Sequence, residues 1–456
     1  MQSFMHTLLS LINSVAVIVV IAYFLTRSRL FKRVLEKNMT GKDKLLLILI
    51  FGLFSIYGTL GGFRILGGIA SIRDLGPTVA GLLAGPLVGF GAGIIGGVHR
   101  YLQGGFTALA CGIAPLVAGL AGGVVYLLKR NRFLGIGRAV LLMIGVELTH
   151  MALTVLLSSP REEAVALVQS VIVPIVASNA IGIGIYGFIM QNLLKERSLE
   201  KAKLTIEGEL KVARDIQMSL VPKTFPPVPV RNEFSLYAAL EPAKEVGGDL
   251  YDFYFVGDDR LFFMIGDVSG KGVPAALFMA VTRTMMKAKM QPADAGLGLI
   301  INKVNTALCE GNDASMFVTA FCGFLYLKTG DITYINAGHN PPAIVKNNGS
   351  VSFLKTAANV PLGVVEDINY GEGNLHLETG ETLVMYTDGV TEATNRQKAF
   401  FAEAGLLKVL QGSCGTSVRG IVENTIGAVH QFAAGAEPAD DITLLVLRME
   451  GNSRPL

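Results

Sequence analysis

The 456-residue sequence predicts a multi-span α-helical membrane domain followed by a mixed α/β soluble domain. Three observations lead to this fold class. Hydrophobic residues make up 51% of the chain and charged residues only 16%, which excludes an ordinary soluble enzyme over the whole length. The long apolar stretches all end by residue 190. Strand-like and helical patterns alternate only from about residue 233 onward, which predicts a second domain over 233–450.

The formal charge is divided in the same way. Residues 1–195 contain 16 Lys and Arg against 6 Asp and Glu, a net charge of +10, whereas the remainder contains 23 against 30, a net charge of −7. The basic residues of the first part lie in loops beside apolar stretches, as in membrane proteins. The overall charge of +3 therefore does not indicate a basic surface for nucleic acid, and no nucleic-acid partner is expected.

Six apolar stretches are long enough to cross a hydrocarbon core about 30 Å thick. They are 7–26, 44–63, 77–98, 106–127, 138–158 and 165–190, within a predicted membrane domain of 1–190. The positive-inside rule places both basic loops, 27–44 and 129–138, in the cytoplasm together with the chain after Lys195. That arrangement needs an odd number of crossings between residues 63 and 128. Either one of the two glycine-rich stretches there is split or re-entrant, or the first basic loop is an exception to the rule.

Several ionisable residues lie in or beside these stretches, where each costs a few kcal/mol unless it is paired or functional. They are Arg73, Asp74, His99, Arg100, Glu147 and His150. Glu147 and His150 are three residues apart, so they share one helix face, either as a structural pair or as a ligand-binding or gating pair.

Residues 40–190 resemble the five-transmembrane sensor module of the LytS type. The matching residues are Arg73-Asp74, the run GLLAGP at 81–86, the run GGVHR at 96–100, and Gly104-Gly105. The resemblance implies that this domain senses an unknown small ligand from the cell membrane.

Residues 191–222 form a predicted helical linker. Leu199, Ile206, Ala213 and Leu220 recur every seven residues, which is typical of a short coiled coil and would allow a homodimer through the 191–220 helix. A single amphipathic helix packed on the next domain fits the same pattern. Pro222 then ends the helix.

Four aspartates mark the soluble domain: Asp249 in VGGDLYDF, Asp267 in IGDVSGKG, Asp388 in YTDGVTEA and Asp440 in ADDITLL. Three of them lie where an apolar strand begins or ends. Converging strand-end carboxylates form an all-oxygen site, which favours Mg²⁺ or Mn²⁺ over zinc or copper. Two such ions can activate water for attack on phosphorus, so that no Ser, Cys or His nucleophile is needed.

Residues 205–450 resemble the metal-dependent protein phosphatase superfamily of the type 2C fold, in the branch typified by SpoIIE and RsbU. The motifs are ELKVARDIQMSLVP, EVGGDLYDF, GDVSGKGVPAALFMA, NAGHNPP, YTDGVTEA and DDITLLVLR. The resemblance implies a central β-sandwich flanked by helices, and hydrolysis of phosphoserine or phosphothreonine on an anti-anti-sigma-type STAS protein.

The resemblance also implies roles for individual residues. Asp267 would bridge two Mn²⁺ or Mg²⁺ ions, and the Val268 carbonyl and Asp249 would bind the second ion. Asp388 and Asp440 would hold the first ion, with Asp441 as the alternative to Asp440. A cytoplasmic phosphatase on a multi-pass plasma-membrane protein is thus expected.

Two supporting residues and two other functions stay open at this stage. His339 is either a structural turn residue or an acid or substrate contact, and Glu245 is similarly open. The chain could instead be a ligand-sensing scaffold that only binds its partner, or a transporter with a regulatory tail.

Overall fold

The computed structural model describes residues 26–129, 133–290, 296–357 and 359–451, together with the isolated positions Ala16, Val20 and Tyr23. The predicted span at 7–26 lies outside the described residues except at four positions. The chain divides into two compact units, residues 1–202 and 203–456, and each is considered by itself.

The described part of the first unit is helical apart from one short hairpin. Its elements are α1 (Arg29–Leu35), α2 (Gly41–Leu60), β1 (Phe63–Ile65), β2 (Gly68–Ala70), α3 (Leu75–Ala84), α4 (Pro86–Leu102), α5 (Ala108–Leu128), α6 (Ile136–Leu157) and the first part of α7 (Arg161–Leu220). Of the helices in the described residues, α2, α5, α6 and α7 are long and apolar enough to cross a membrane. Helix α7 joins the predicted span 165–190 and the predicted linker into one element that ends at Leu220.

The glycine-rich stretch at 77–98 is not one helix but two, so of the alternatives left open by the sequence the split form is present. Gly85 separates α3 from α4 with φ at 91°, a conformation that favours glycine. Pro86 starts α4, where its missing N–H breaks no helical hydrogen bond. A Cβ atom on Gly89 would lie 2.7 Å from the Cα atom of Gly81, so α4 folds back on α3 as a helical hairpin.

Glycine contacts also fix the directions of the other helices. A Cβ atom added to the first residue of each of these pairs would lie 2.2 to 2.4 Å from the carbonyl oxygen of the second: Gly89 and Gly119, Gly93 and Pro115, Gly97 and Gly112. Helices α4 and α5 therefore run antiparallel at backbone contact, which only glycine permits. Gly91 packs against Ile48 and Gly96 against Ser55, so α2 runs parallel to α4.

The second unit is built on two five-stranded antiparallel sheets. Its strands are β3 (Phe234–Glu241), β4 (Leu250–Val256), β5 (Arg260–Val268), β6 (Val318–Tyr326), β7 (Asp331–Ala337), β8 (Ala343–Val345), β9 (Val351–Phe353), β10 (Gly373–His376), β11 (Thr382–Tyr386) and β12 (Ile442–Met449). The strand orders are β10-β7-β6-β5-β4 and β3-β12-β11-β8-β9.

Among the residues described in this unit, five helices accompany the sheets: α8 (Val273–Lys289), α9 (Leu297–Cys309), α10 (Asp388–Thr391), α11 (Ala402–Gln411) and α12 (Val418–Ala433). The four aspartate motifs quoted from the sequence lie beside β4, β5, β11 and β12.

Strand β5 shows how the layers form. Leu261, Phe263 and Ile265 enter the core between the two sheets. Phe262 and Met264 point to the opposite face, where α8 and α9 cover the sheet. Both faces are buried, so the strand is apolar without alternation. Helices α11 and α12 cover the second sheet in the same way, and the predicted β-sandwich flanked by helices is confirmed.

Candidate active site

The five aspartates named from the sequence lie at strand ends of both sheets. Asp249 directly precedes β4, and Asp267 is the penultimate residue of β5. Asp388 follows β11 as the first residue of α10, and Asp440-Asp441 directly precede β12. Asp249 and Asp267 thus belong to the first sheet, and the other three aspartates lie beside strands of the second.

Asp249 is the most deeply buried member, with 2% of its surface exposed. Its Oδ2 atom accepts hydrogen bonds from Thr387 Oγ1 at 2.7 Å and from Thr443 Oγ1 at 2.5 Å. These hydroxyls belong to the second sheet, so they hold the carboxylate of the first sheet against the other aspartates.

The Val268 carbonyl lies beside the loop before β4. A Cβ atom on Gly248 would come within 2.7 Å of the Val268 oxygen, so only glycine allows this approach. A backbone hydrogen bond holds the residue after Val268, because Ser269 N donates to Phe317 O at 2.8 Å. Asp267 itself pairs with Thr319 of the neighbouring strand β6.

Asp440 and Asp441 differ in their surroundings. Asp440 Oδ2 lies 2.7 Å from Lys271 Nζ, and its side chain is 29% exposed. Asp441 is buried and uses its carboxylate to hold the loop before Asp249. Its Oδ1 atom accepts from Ala243 N at 2.8 Å, and its Oδ2 atom accepts from Gly248 N at 2.8 Å. Asp440 Oδ1 accepts from Asp441 N at 3.0 Å, so both oxygens of Asp440 are in contact as well, but Asp440 is the more exposed of the two aspartates.

The aspartates raise one another's pKa values. Burial, with the charges of Asp267 and Asp441, raises the pKa of Asp249 well above its usual value. Burial, with Asp388 and Asp440, raises the pKa of Asp267 to about 7. The pKa of Asp388 is raised by burial, by Glu392 and by Asp440. Negative charge is therefore concentrated here with Lys271 as the contacting cation.

This donor set fits a hard divalent cation. It contains only carboxylate oxygens and a backbone carbonyl, which are the ligands that Mg²⁺ and Mn²⁺ prefer. A cation would also relieve the mutual repulsion that raises these pKa values. The carboxylates are nevertheless not drawn as tightly together as a three-ligand group in the first unit, which is described below.

His339 is buried beside β6, where it contacts Thr319, whose hydroxyl also lies 3.4 Å from the Asp267 carbonyl. Its Nδ1 atom lies 2.9 Å from Thr319 Oγ1, and its backbone N–H donates to Asn336 Oδ1 at 2.7 Å. Burial lowers the pKa of His339 to about 4, so the imidazole is neutral near pH 7. These contacts favour the structural turn role over the acid or substrate role. Glu245 is exposed in the loop before Asp249.

Four residues that contact the site were not assigned a role from the sequence. They are Thr387, Thr443, Lys271 and Gln217, of which Gln217 hydrogen-bonds Gly247. Thr387 and Thr443 are each within three residues of a named aspartate, which was an available signal. Gln217 lies 30 residues before its partner; it is part of the quoted motif ELKVARDIQMSLVP, but nothing in that motif indicated its contact with Gly247.

The first unit contains a separate buried cluster formed by residues that the sequence had singled out. His150 Nδ1 lies 2.6 Å from Asp74 Oδ2 and 3.8 Å from Glu147 Oε2, and His150 Nε2 lies 3.4 Å from Cys111 Sγ. In the described part of the chain, three possible metal-ligand atoms lie within 4.8 Å of one another in one group, formed by Asp74, Glu147 and His150. Glu147 and His150 share a face, as expected.

Two buried arginines flank this cluster. Arg73 donates to Ser71 Oγ at 2.6 Å, and Arg100 donates to Thr107 Oγ1 at 2.9 Å. Neither is in an exposed loop, since each is 1% exposed.

Comparison with known proteins gives a separate assignment for each unit. Residues 257–450 match the family model described as Stage II sporulation protein E (SpoIIE). Residues 28–193 match the model described as 5TMR of 5TMR-LYT. Asp249 and Gln217 lie before the first of these matches.

Three curated relatives are similar to different parts of the chain. Protein IcfG of Synechocystis sp. is 32% identical over 298 residues, covering 58% of this chain and 46% of IcfG. Phosphoserine phosphatase RsbU of Bacillus subtilis is 28% identical over 264 residues, covering 58% of this chain and 76% of RsbU. Sensor histidine kinase BtsS of Escherichia coli is 34% identical over 200 residues, covering 42% of this chain and 35% of BtsS.

The chain therefore spans less than half of IcfG and about a third of BtsS. The two family matches fall on different units and do not overlap. The chain joins a five-transmembrane sensor domain of the LytS type to a type 2C-like phosphatase domain of the SpoIIE family.

Proposed function

We propose that this chain is a membrane-bound sensor phosphatase that hydrolyses phosphoserine or phosphothreonine on a regulatory protein. The observation that carries the proposal is that aspartates at the strand ends of both sheets, all buried or partly buried, lie near enough for their charges to raise one another's pKa values. Such a concentration of carboxylates destabilises a fold unless a cation or a reaction uses it.

Two Mn²⁺ or Mg²⁺ ions would be held by these residues. Asp267 would bridge both ions, with Asp249 and the Val268 carbonyl on one ion and Asp388 and Asp440 on the other. When bound, the ions supply Lewis-acid activation of the attacking water and neutralise charge on the phosphoryl group.

The remaining work falls to residues of the chain itself. Thr387 and Thr443 orient Asp249, and Asp441 holds the backbone of its loop. Lys271 is half-exposed and pairs with Asp440, and we propose that it also meets the negative charge of a phosphorylated side chain.

The substrate is proposed by resemblance. The alignment covers 76% of RsbU, and that protein is named a phosphoserine phosphatase. The resemblance of this domain to the SpoIIE and RsbU branch suggests a phosphorylated STAS-type protein as the partner of this chain.

The helix directions support a cytoplasmic phosphatase domain. Helices α2 and α4 are parallel, α4 is antiparallel to both α3 and α5, and Ile136 of α6 packs on Gly187 of α7. Six successive passes through the bundle, of which α3 is a short one of about 15 Å, return the chain to its starting side. Loops 27–40 and 129–135 and the end of the last span then share the cytoplasmic side, in agreement with the positive-inside rule.

The linker part of α7 is proposed to pair with a second copy of the chain. Leu199, Ile206 and Ile216 are 57 to 61% exposed on a helix with few other apolar contacts. A homodimer would bury them. An unknown small ligand of the sensor domain would change this packing and so control the phosphatase.

The first experiment measures phosphate release by the full-length protein in lipid nanodiscs. A phosphoserine protein is offered with Mn²⁺, with Mg²⁺ or with EDTA. Turnover that needs the metal and is lost in Asp267→Asn, but kept in the exposed control Asp313→Asn, supports the proposal. A folded wild-type protein without turnover under either metal and in detergent as well as lipid would contradict it and favour the scaffold function.

A further inference from the structure

The last turn of α7 is attached to the phosphatase domain by a side chain whose role the proposed chemistry does not include. Gln217 is 6% exposed, although Arg214, Asp215 and Ile216 beside it are exposed. Its Nε2 atom donates to Gly247 O at 2.6 Å, and its Oε1 atom accepts from Gly247 N at 3.1 Å. One side chain thus binds both polar groups of one residue in the loop before Asp249.

The helix end is fixed around this contact. Val221 and Met218 enter the core between the sheets. Tyr251, in strand β4, donates its hydroxyl to Pro222 O at 2.8 Å. Gln217 therefore approaches the loop from a helix turn whose position is already defined by packing.

The other side of the loop faces the aspartates. A Cβ atom on Gly247 would lie 1.9 Å from Asp441 Oδ2, so Gly247 is held between Gln217 and Asp441. The next two residues donate to the same carboxylate oxygen, Gly248 N at 2.8 Å and Asp249 N at 3.4 Å. A displacement of Gly247 is therefore passed directly to the backbone of Asp249.

We propose that Gln217 is a positioning residue that couples the end of α7 to the Gly247–Asp249 loop, so that movement of the helix loosens or restores the site that holds the cation. The inference rests on the proposed function and adds the contact through which the helix acts. Helix α7 runs without a break from Arg161, so a shift or rotation anywhere along it that reaches residue 217 changes this contact.

Glutamine suits this position because its amide offers one donor and one acceptor on the same group. Leucine keeps a similar volume but leaves both Gly247 groups unpaired. Glutamate keeps the acceptor for Gly247 N and places negative charge against Gly247 O.

The experiment uses full-length protein in nanodiscs and compares wild type with Gln217→Leu, Gln217→Glu and the control Ser219→Ala. Ser219 is exposed on the same turn and bonds only Ile216 O of its own helix. The readouts are hydrogen exchange of the 243–249 amides, and Mn²⁺ binding measured by the electron paramagnetic resonance signal of the free ion. Neither readout requires turnover.

We expect faster exchange at Gly247 to Asp249 in both Gln217 variants. Mn²⁺ binding should weaken roughly 10- to 100-fold in Gln217→Leu, which loses both hydrogen bonds, and by a smaller factor in Gln217→Glu, which loses one. The control variant should match wild type. Unchanged exchange at this loop would show that Gln217 does not hold the Gly247–Asp249 backbone. Faster exchange with unchanged Mn²⁺ affinity would show that this contact does not affect the cation site.

If one variant unfolds, the other still decides the result, because each removes the Nε2 contact. Absence of phosphatase activity in a wild type that binds Mn²⁺ would count against the proposed function while leaving the Gln217 test intact. A wild type that does not bind Mn²⁺ would overturn both.

Discussion

Substitution of Gly247 by alanine tests the tight packing behind Asp249. The added Cβ atom would lie 1.9 Å from Asp441 Oδ2 and 2.5 Å from Asp441 Cγ. Real contacts of this kind do not fall below 3.0 Å, so the carboxylate or the loop must move by about 1.1 Å. Asp441 would then lose its short bonds to Ala243 N and Gly248 N, and Asp249 would leave its place.

A displacement of this size in a catalytic group costs about 100-fold in rate, which corresponds to about 2.7 kcal/mol of transition-state stabilisation. The assay is phosphate release by full-length protein across a range of Mn²⁺ concentrations. We expect a loss of about that size, with a higher Mn²⁺ requirement. Gly371→Ala is the matched control, because its Cβ would meet open space.

The reasoning would be refuted by a Gly247→Ala protein that keeps at least half of the wild-type rate at an unchanged Mn²⁺ requirement. In that case the loop before β4 would not be confined by Asp441. A fall in rate shared by Gly371→Ala would instead point to general destabilisation, and would count against a local effect.

Three further results are expected. Gly208 lies within α7 with no atom near its Cβ position, so Gly208→Ala should stabilise the linker helix by about 0.5 to 1 kcal/mol; slower hydrogen exchange at 200–215 checks this, and no change would contradict it. Asn305 is buried and bonds Gly363 N at 2.9 Å and Val365 O at 2.7 Å, so Asn305→Leu should lower the free energy of unfolding by about 2 to 4 kcal/mol, measured by pulse proteolysis in urea. The pKa of buried His339 is about 4 in the folded protein and about 6.5 in the unfolded chain, so the unfolded state binds the proton first as pH falls. Between pH 7.5 and 5 the free energy of unfolding of the wild type should therefore fall by about 2 kcal/mol more than that of His339→Gln. Equal decreases in the two proteins would contradict a buried neutral imidazole.

The architecture of the second unit was largely accessible from the sequence. Strands such as β5 and β12 are apolar runs bounded by Gly, Asp or Pro, and burial on both faces keeps them apolar. The aspartates were visible for a related reason: one Asp beside a strand is usually a turn residue, but four such motifs in one domain are not explained by turns alone. The roles assigned to Asp249, Asp267, Asp388 and Asp440 stay predictions until metal binding is measured.

Other features depend on contacts that local patterns do not encode. The hairpin of α3 and α4 needs Gly85-Pro86 at its turn, but the same pair also occurs inside continuous spans in lipid, where neighbouring helices satisfy the backbone. The different surroundings of Asp440 and Asp441 arise from Lys271 and from loop amides about 190 residues earlier in the chain. Hydrophobic periodicity and secondary-structure propensity carry no information about contacts between residues so far apart in the sequence.

The placement of the aspartates on both sheets has a consequence for the lifetime of the protein. A cation shared by Asp249 and Asp267 of one sheet and Asp388 and Asp440 of the other would tie the two halves of the sandwich together at their open end. Binding of this kind stabilises a fold by about 2.7 kcal/mol at a free-ion concentration 100 times the dissociation constant. A cell short of the ion would then hold less of this protein, because proteases degrade the opened form first.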